Sequence, residues 1–208
     1  MTEVTEATVH LVDDDEGFLI ATSRLLRASG FSTMTHSSAQ EFLARRSADE
    51  PGCVVVDLRM PCVSGLDLQS YITHGQFPLP VLFLTGHPET ASIVRAMRAG
   101  AEDLLEKSAS KEVLLDAVRR ALLRDSKERE ERHHREQLRA RFALITARER
   151  EVVSHLLCGR LNKQIAYELS IHERTVKVHR RAIMTKLRVR SVAALVRLIQ
   201  DAGLPQDS

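Results

Sequence analysis

Four apolar runs in the first half of this 208-residue chain end on residues that can handle a phosphoryl group. Thr8 to Val12 runs into Asp13, Asp14 and Asp15, and Cys53 to Val56 runs into Asp57. Pro80 to Leu84 runs into Thr85, and the weaker run Asp103 to Glu106 meets Lys107. Carboxylates gathered in one crevice repel one another unless a cation stands between them. A set of carboxylates, a backbone carbonyl and water suits Mg²⁺, which keeps several waters and takes phosphate oxygens as further ligands. One carboxylate as nucleophile, a Mg²⁺ ion, a hydroxyl donor and a lysine together describe phosphoryl transfer to an aspartate. Any one of these residues alone reads as a solvated loop end. Four of them at the ends of successive apolar runs read as a site.

A second chemistry sits near the other end. From Arg174 to Arg190 there are seven basic residues and no acidic one. At helical spacing Lys177 and Arg181 share a face, with Val178 and Arg174 beside it, while Ile183 and Leu187 fall on another face that should pack inward. A helix carrying polar and basic residues near its N-terminus can enter a major groove while flanking cations hold phosphates. A charge run by itself is usually a solvated face, so the helices around it must decide. His179 and the His133-His134 pair carry no assigned chemistry.

The elements that must position these residues follow from periodicity. After the first run, Gly17 to Ala28 has helical spacing and Gly30 can stop it. Phe31 to Thr35 is a strand candidate, Ala39 to Arg46 a short helix, Ala91 to Ala99 a helix stopped at Gly100, and Lys111 to Leu123 an amphipathic helix. Unbroken apolar strands separated by helices imply a doubly wound five-stranded parallel sheet covered on both faces, an α/β fold whose ligands bind beyond the carboxyl ends of the strands. Residues 123–141 are almost wholly polar with no heptad seam, which predicts a polar helical linker rather than a coiled coil. From Leu144 onward the pattern is helical. Thr146 with Glu149 makes a capping box, Asn162 is placed to cap Lys163 to Leu169, and Ser170-Ile171-His172 forms a short break. Glu173 to Leu187 is the next helix, and Ser191 caps Val192 to Ala202 before Gly203 and Pro205. The expected organisation is therefore 7–122, a linker over 123–141, and an all-α four-helix module over 142–204.

Charge divides the chain the same way. Residues 1–125 carry 12 Lys+Arg against 18 Asp+Glu, and residues 126–208 carry 18 against 10, although the whole chain nets only +2. The basic part should face a polyanion. No run of 18 apolar residues spans a membrane, and the N-terminal stretch, with two glutamates and no basic residue before Ala7, does not resemble a signal peptide. Cys53, Cys62 and Cys158 form no C-x-x-C pair, which fits a reducing, cytoplasmic setting.

The segments VHLVDDD, VVVDLRMPCVSG and VLFLTGH, with the late Lys107, resemble the receiver domain of bacterial two-component response regulators. The segments ITAREREVV and GRLNKQIAYELSIHERTVKVHRRAIMTKL resemble the LuxR-type helix-turn-helix of the NarL/FixJ family. The first resemblance implies a flavodoxin-like fold with Asp57 as phosphoacceptor and Asp13, Asp14, Asp57 and the Arg59 carbonyl as Mg²⁺-site groups. It also implies Thr85 and Lys107 as phosphate-stabilising groups and a sensor histidine kinase as phosphodonor. Asp15 is left as an exposed loop residue. The second implies double-stranded DNA as partner, bound as a homodimer, with Lys177, Val178 and Arg181 facing bases and Arg174 beside them. Lys163, Thr175, Arg180, Arg188 and Arg190 are then phosphate contacts.

The chain departs from the receiver pattern at two positions. Ser108 replaces the usual proline after the lysine, so the bond before it should be trans, and Leu104 stands where an aromatic switch residue is usual. Two readings follow: a non-enzymatic transcriptional regulator controlled by Asp57 phosphorylation, or one whose receiver has weakened or lost that control and serves as a dimerisation or partner module. A haloacid-dehalogenase-type hydrolase would need a second carboxylate two residues after the nucleophile, where Arg59 stands.

Overall fold

The computed structural model describes residues 7–47, 49–86 and 89–204. The N-terminal residues before Ala7, His87 of the VLFLTGH segment, and Pro205 lie outside the described residues. Five parallel strands alternate with helices: β1 (Thr8–Val12), α1 (Glu16–Ala28), β2 (Ser32–His36), α2 (Ala39–Arg45), β3 (Gly52–Asp57), α3 (Gly65–Thr73), β4 (Val81–Thr85), α4 (Thr90–Arg98) and β5 (Asp103–Glu106). The spatial order is β2-β1-β3-β4-β5, the flavodoxin-like order. All strands are parallel, but β2 is added on one side of β1 and β3 on the other, and Asp13 and Asp57 emerge at this switch point.

Alternation along the strands divides the sheet's two faces. Val9, Leu11, Cys53, Val55, Leu82 and Leu84 pack with α1 and the first turns of α5 (Lys111–Ala143), whereas Val54, Val56, Val81 and Phe83 pack with α2 and α3. Both faces are apolar because helices cover both, which is why the strands read as unbroken runs. Burial at about 25 cal/mol per Å² then makes each strand residue a strong determinant of register.

Four local readings need correction. The helix α3 was not anticipated between β3 and β4; its signal was there, as Ser64 and Asp67 form a reciprocal capping box. Asp15 is not merely a loop residue but the N-cap of α1, accepting from the Phe18 amide at 3.0 Å. Asn162 does not cap its helix. Leu161 is the N-cap residue of α7 (Asn162–Glu168), its amide donating to Gln164 Oε1 at 2.8 Å, and Asn162 Oδ1 instead accepts from Arg180. The helix begun at Lys111 does not stop near Leu123: α5 is one 33-residue helix to Ala143.

The second compact unit begins at Arg129, and its described residues are helical. Its elements are the end of α5, α6 (Ala147–Leu157), α7, α8 (Glu173–Leu187) and α9 (Val192–Asp201). Its core gathers Leu138, Ile145, Val152, Ile165, Val176, Ile183, Leu187, Leu195 and Ile199. The Thr146–Glu149 capping box starts α6, and Ser191 caps α9 by accepting from the Ala194 amide at 3.1 Å. No helix among the described residues is long and apolar enough to cross a membrane.

Candidate functional site

The crevice at the β1 and β3 ends is built from backbone outward. Ladder pairing sets Val12 opposite Val56, so the next residues, Asp13 and Asp57, emerge side by side. Asp13, Asp14 and Asp57 each offer a carboxylate oxygen within 4.8 Å of the others. Asp57 is only 8% exposed, and its Oδ1 accepts from the Arg59 amide at 3.3 Å. Lys107 follows β5, and its amide donates to the Thr85 carbonyl at 2.9 Å, which ties the two phosphate-stabilising candidates to one ladder. Thr85 itself is buried.

Lys107 Nζ lies 2.9 Å from Asp57 Oδ2 and 2.7 Å from Asp13 Oδ2. Burial pulls the lysine's pKa down, but the two carboxylates outweigh it and hold the ammonium above its ordinary value. Burial pushes the Asp13 carboxyl up, against the opposing pull of Lys107 and the Asp15 amide. Asp13 Oδ2 is buried and makes an ion-pair contact without hydrogen-bond geometry. Three carboxylates with oxygens within 4.8 Å of one another, Asp13 and Asp57 nearly buried, are the donor set a hard divalent cation takes. The residues present therefore fit Mg²⁺. The Arg59 guanidinium pairs with Glu89 at the rim.

In the helical unit, α7 and α8 are joined by a four-residue turn over 169–172, with Ser170 in the left-handed region at φ 51°. Val176, Ile183 and Leu187 bury one side of α8. Arg174, Lys177, Val178, Arg181 and Thr185 are exposed on the other, at i, i+3, i+4, i+7 and i+11. Val178, an apolar residue 61% exposed, stands among these cations. Lys177 pairs with Glu173 at 3.0 Å, an exposed pair that contributes little and is readily exchanged.

Two independent matches then cover both units. A model of the response regulator receiver domain matches residues 9–119, and one of the bacterial regulatory proteins of the luxR family matches residues 143–199. The chain belongs to the LuxR-type response regulators. It is 38% identical over 200 residues to Nodulation protein W of Bradyrhizobium diazoefficiens, covering 96% of this chain and 88% of that one. It is 36% identical to the transcriptional regulatory protein FixJ of Rhizobium meliloti, covering 96% of this chain and 98% of that one. Among solved structures, the response regulator StyR superposes with a TM-score of 0.83 at 42% identity, covering 94% of this chain and 98% of that one.

Measured against its sequence, this response regulator brings Asp13, Asp14, Asp57 and Lys107 together, with the Arg59 amide on Asp57. Lys163, Arg188 and Arg190 are exposed, and Thr175 is half-buried. Arg180 is half-buried and ties α8 to Asn162 of α7. Lys186, one of the seven cations in the basic run, is turned to the buried Glu149 at 2.6 Å and serves the fold. Thr185 completes the exposed stripe of α8 and was not singled out from sequence, although its i+4 relation to Arg181 carried the signal.

Proposed function

We propose that this transcriptional response regulator is switched by phosphorylation of Asp57 from a sensor histidine kinase, and that it binds double-stranded DNA as a homodimer in the cytoplasm. The parts are a receiver over 7–122, a helical linker over 123–141 and a DNA-binding module over 142–204. The observation that carries the reading is the Asp57 carboxylate, nearly buried at a strand end and held by Lys107 beside Asp13 and Asp14. An Asp57 carboxylate oxygen attacks the phosphorus of a phosphohistidine. The new O–P bond forms as the P–N bond breaks, and the imidazole leaves with the electron pair. Mg²⁺ held by Asp13, Asp14, Asp57 and the Arg59 carbonyl would neutralise charge on the transferring group. Lys107 offers its ammonium to the phosphoryl oxygens, and Thr85 its hydroxyl. In the DNA-binding module Lys177, Val178 and Arg181, with Arg174, meet base edges in the major groove. Lys163, Thr175, Arg180, Arg188 and Arg190 meet phosphates.

A second reading has its own support. Leu104 is half-buried against the α2–α4 face, Ser108 bonds Glu106 at 3.1 Å, and no cis bond occurs among the described residues. A receiver without an aromatic reporter has fewer parts to move, so its phosphorylation would act weakly on DNA binding. Incubating the full chain with acetyl phosphate and Mg²⁺ tests the first step. One phosphoryl group should appear on the wild type and none on Asp57→Asn; a phosphate retained by the variant would name another acceptor.

A further inference from the structure

Phe18, in the first turn of α1, lies with its ring centroid 4.4 Å from Lys107 Nζ. That is well inside the roughly 6 Å over which an ammonium is attracted by the negative face of an aromatic ring. The contact belongs to a closed circuit. The Asp15 amide donates to Asp13 Oδ1 at 2.9 Å, and Asp15 Oδ1 accepts from the Phe18 amide at 3.0 Å. Phe18 then meets Lys107, whose ammonium returns to Asp13 Oδ2 at 2.7 Å and reaches Asp57 at 2.9 Å. A Cβ at Gly17 would crowd this turn, standing 3.2 Å from Asp15 Oδ1. The ring also packs against the α1–α5 core, so it is fixed from behind.

We propose that Phe18 is the positioning residue for Lys107, holding its ammonium on the phosphoacceptor carboxylate before phosphoryl transfer. The proposal rests on Asp57 being that acceptor. A lysine ends on a flexible four-carbon stem, and Asp13 and Asp57 hold only its charged tip. A third carboxylate could hold it equally well. That carboxylate would, however, repel the incoming dianion in a crevice already carrying Asp13, Asp14 and Asp57. An aromatic ring attracts the ammonium without adding charge. The third aspartate of the DDD run thereby has a task as well: through its cap it sets the turn that presents the ring.

The test uses the full chain with acetyl phosphate and Mg²⁺, following the phosphorylated fraction by intact mass. Phe18→Leu fills similar space without a π face, and Phe18→Tyr restores one. With Lys107 present, Phe18→Leu should slow phosphorylation about fivefold and Phe18→Tyr by less than about twofold. In a Lys107→Ala background Phe18→Leu should change the rate by less than about 1.5-fold, because the residue acts through the lysine. Equal slowing in both backgrounds would mean that Phe18 only supports the fold and would overturn the proposal, as would no slowing in either. Side-chain NMR gives a readout independent of chemistry. The Lys107 ε-methylene should be shifted upfield by the ring in wild type and Phe18→Tyr and lose that shift in Phe18→Leu; an unshifted wild type overturns the proposal. If the wild type takes no phosphate at all, the acceptor reading fails, and the NMR shift alone decides whether the ring holds the lysine.

Discussion

His10 and His36 show what a polar pair costs when it is placed in a sheet. Both are buried, with His10 Nδ1 3.2 Å from His36 Nε2, and both rings meet Phe42 edge-on. Burial pulls His10 down to about 4, with Glu50 opposing and His36 and Arg46 adding to it. Burial lowers His36 too, while Glu41 and Glu50 oppose and Arg45 assists. The folded state therefore holds fewer protons than the unfolded chain between about pH 4 and the ordinary imidazole value near 6.5. Stability is full above that value and falls as pH drops through the window, by up to about 1.4 kcal/mol per pH unit for each proton. Denaturant melts of His10→Leu should show a shallower acid slope than wild type; an unchanged slope would remove the histidines from the account. The residues of α8 make a different kind of statement. Lys177→Ala and Arg181→Ala should each reduce discrimination between a preferred duplex and random DNA by about 1–3 kcal/mol. A gel-shift series in which both duplexes weaken alike would place these side chains on phosphates instead.

At the scale of elements, the end of α8 separates folding from binding. Arg188 is the C-cap in the left-handed region, φ 55° and ψ 42°, a conformation that disfavours any side chain with a Cβ. Arg188→Gly should therefore leave the thermal midpoint unchanged or raise it. The same substitution should weaken all DNA alike and flatten the salt dependence, because it removes the phosphate contact proposed for Arg188. A lower midpoint, or an unaltered salt slope, would contradict this. The other long helix was legible only in part. Periodicity reached Leu123 and then dissolved into the polar stretch after it, yet Asp125 is 2% exposed and accepts from the Gly52 amide at 2.8 Å. A lone aspartate in a polar run carries no sign that a strand 73 positions away needs an acceptor. Asp125→Ala should destabilise the receiver by about 1–3 kcal/mol, the cost of a buried amide left unpaired, as a denaturation curve would report. Strands and the caps at Thr146 and Ser191 were readable because apolar runs and N-capping hydroxyls are local signals. Asn162 misled for the same reason: a good capping residue stood one position too late and found Arg180 across the turn.

For the whole molecule, the four strand ends could be read from sequence because a parallel sheet brings carboxyl ends together whatever the loops do. What sequence could not supply was the third partner of Lys107, or the pairing of Arg180 with Asn162 and of Lys186 with Glu149, since those depend on packing between separate elements. Phosphorylation can alter DNA binding only as far as the two receiver states differ in some surface read by the rest of the molecule. Leu104 at the aromatic position and Ser108 at the proline position leave fewer rigid parts to carry that difference. The coupling should then sit at or below the low end of the usual 1–3 kcal/mol, or about tenfold in affinity. The decisive measurement titrates one duplex, selected from a random library, with unphosphorylated wild type, acetyl-phosphate-treated wild type and treated Asp57→Asn. We expect binding without phosphate, a gain of about tenfold or less on treating the wild type, and none for the variant. A gain of about a hundredfold, or an equal gain in Asp57→Asn, would contradict this picture of a weakly coupled switch centred on Asp57.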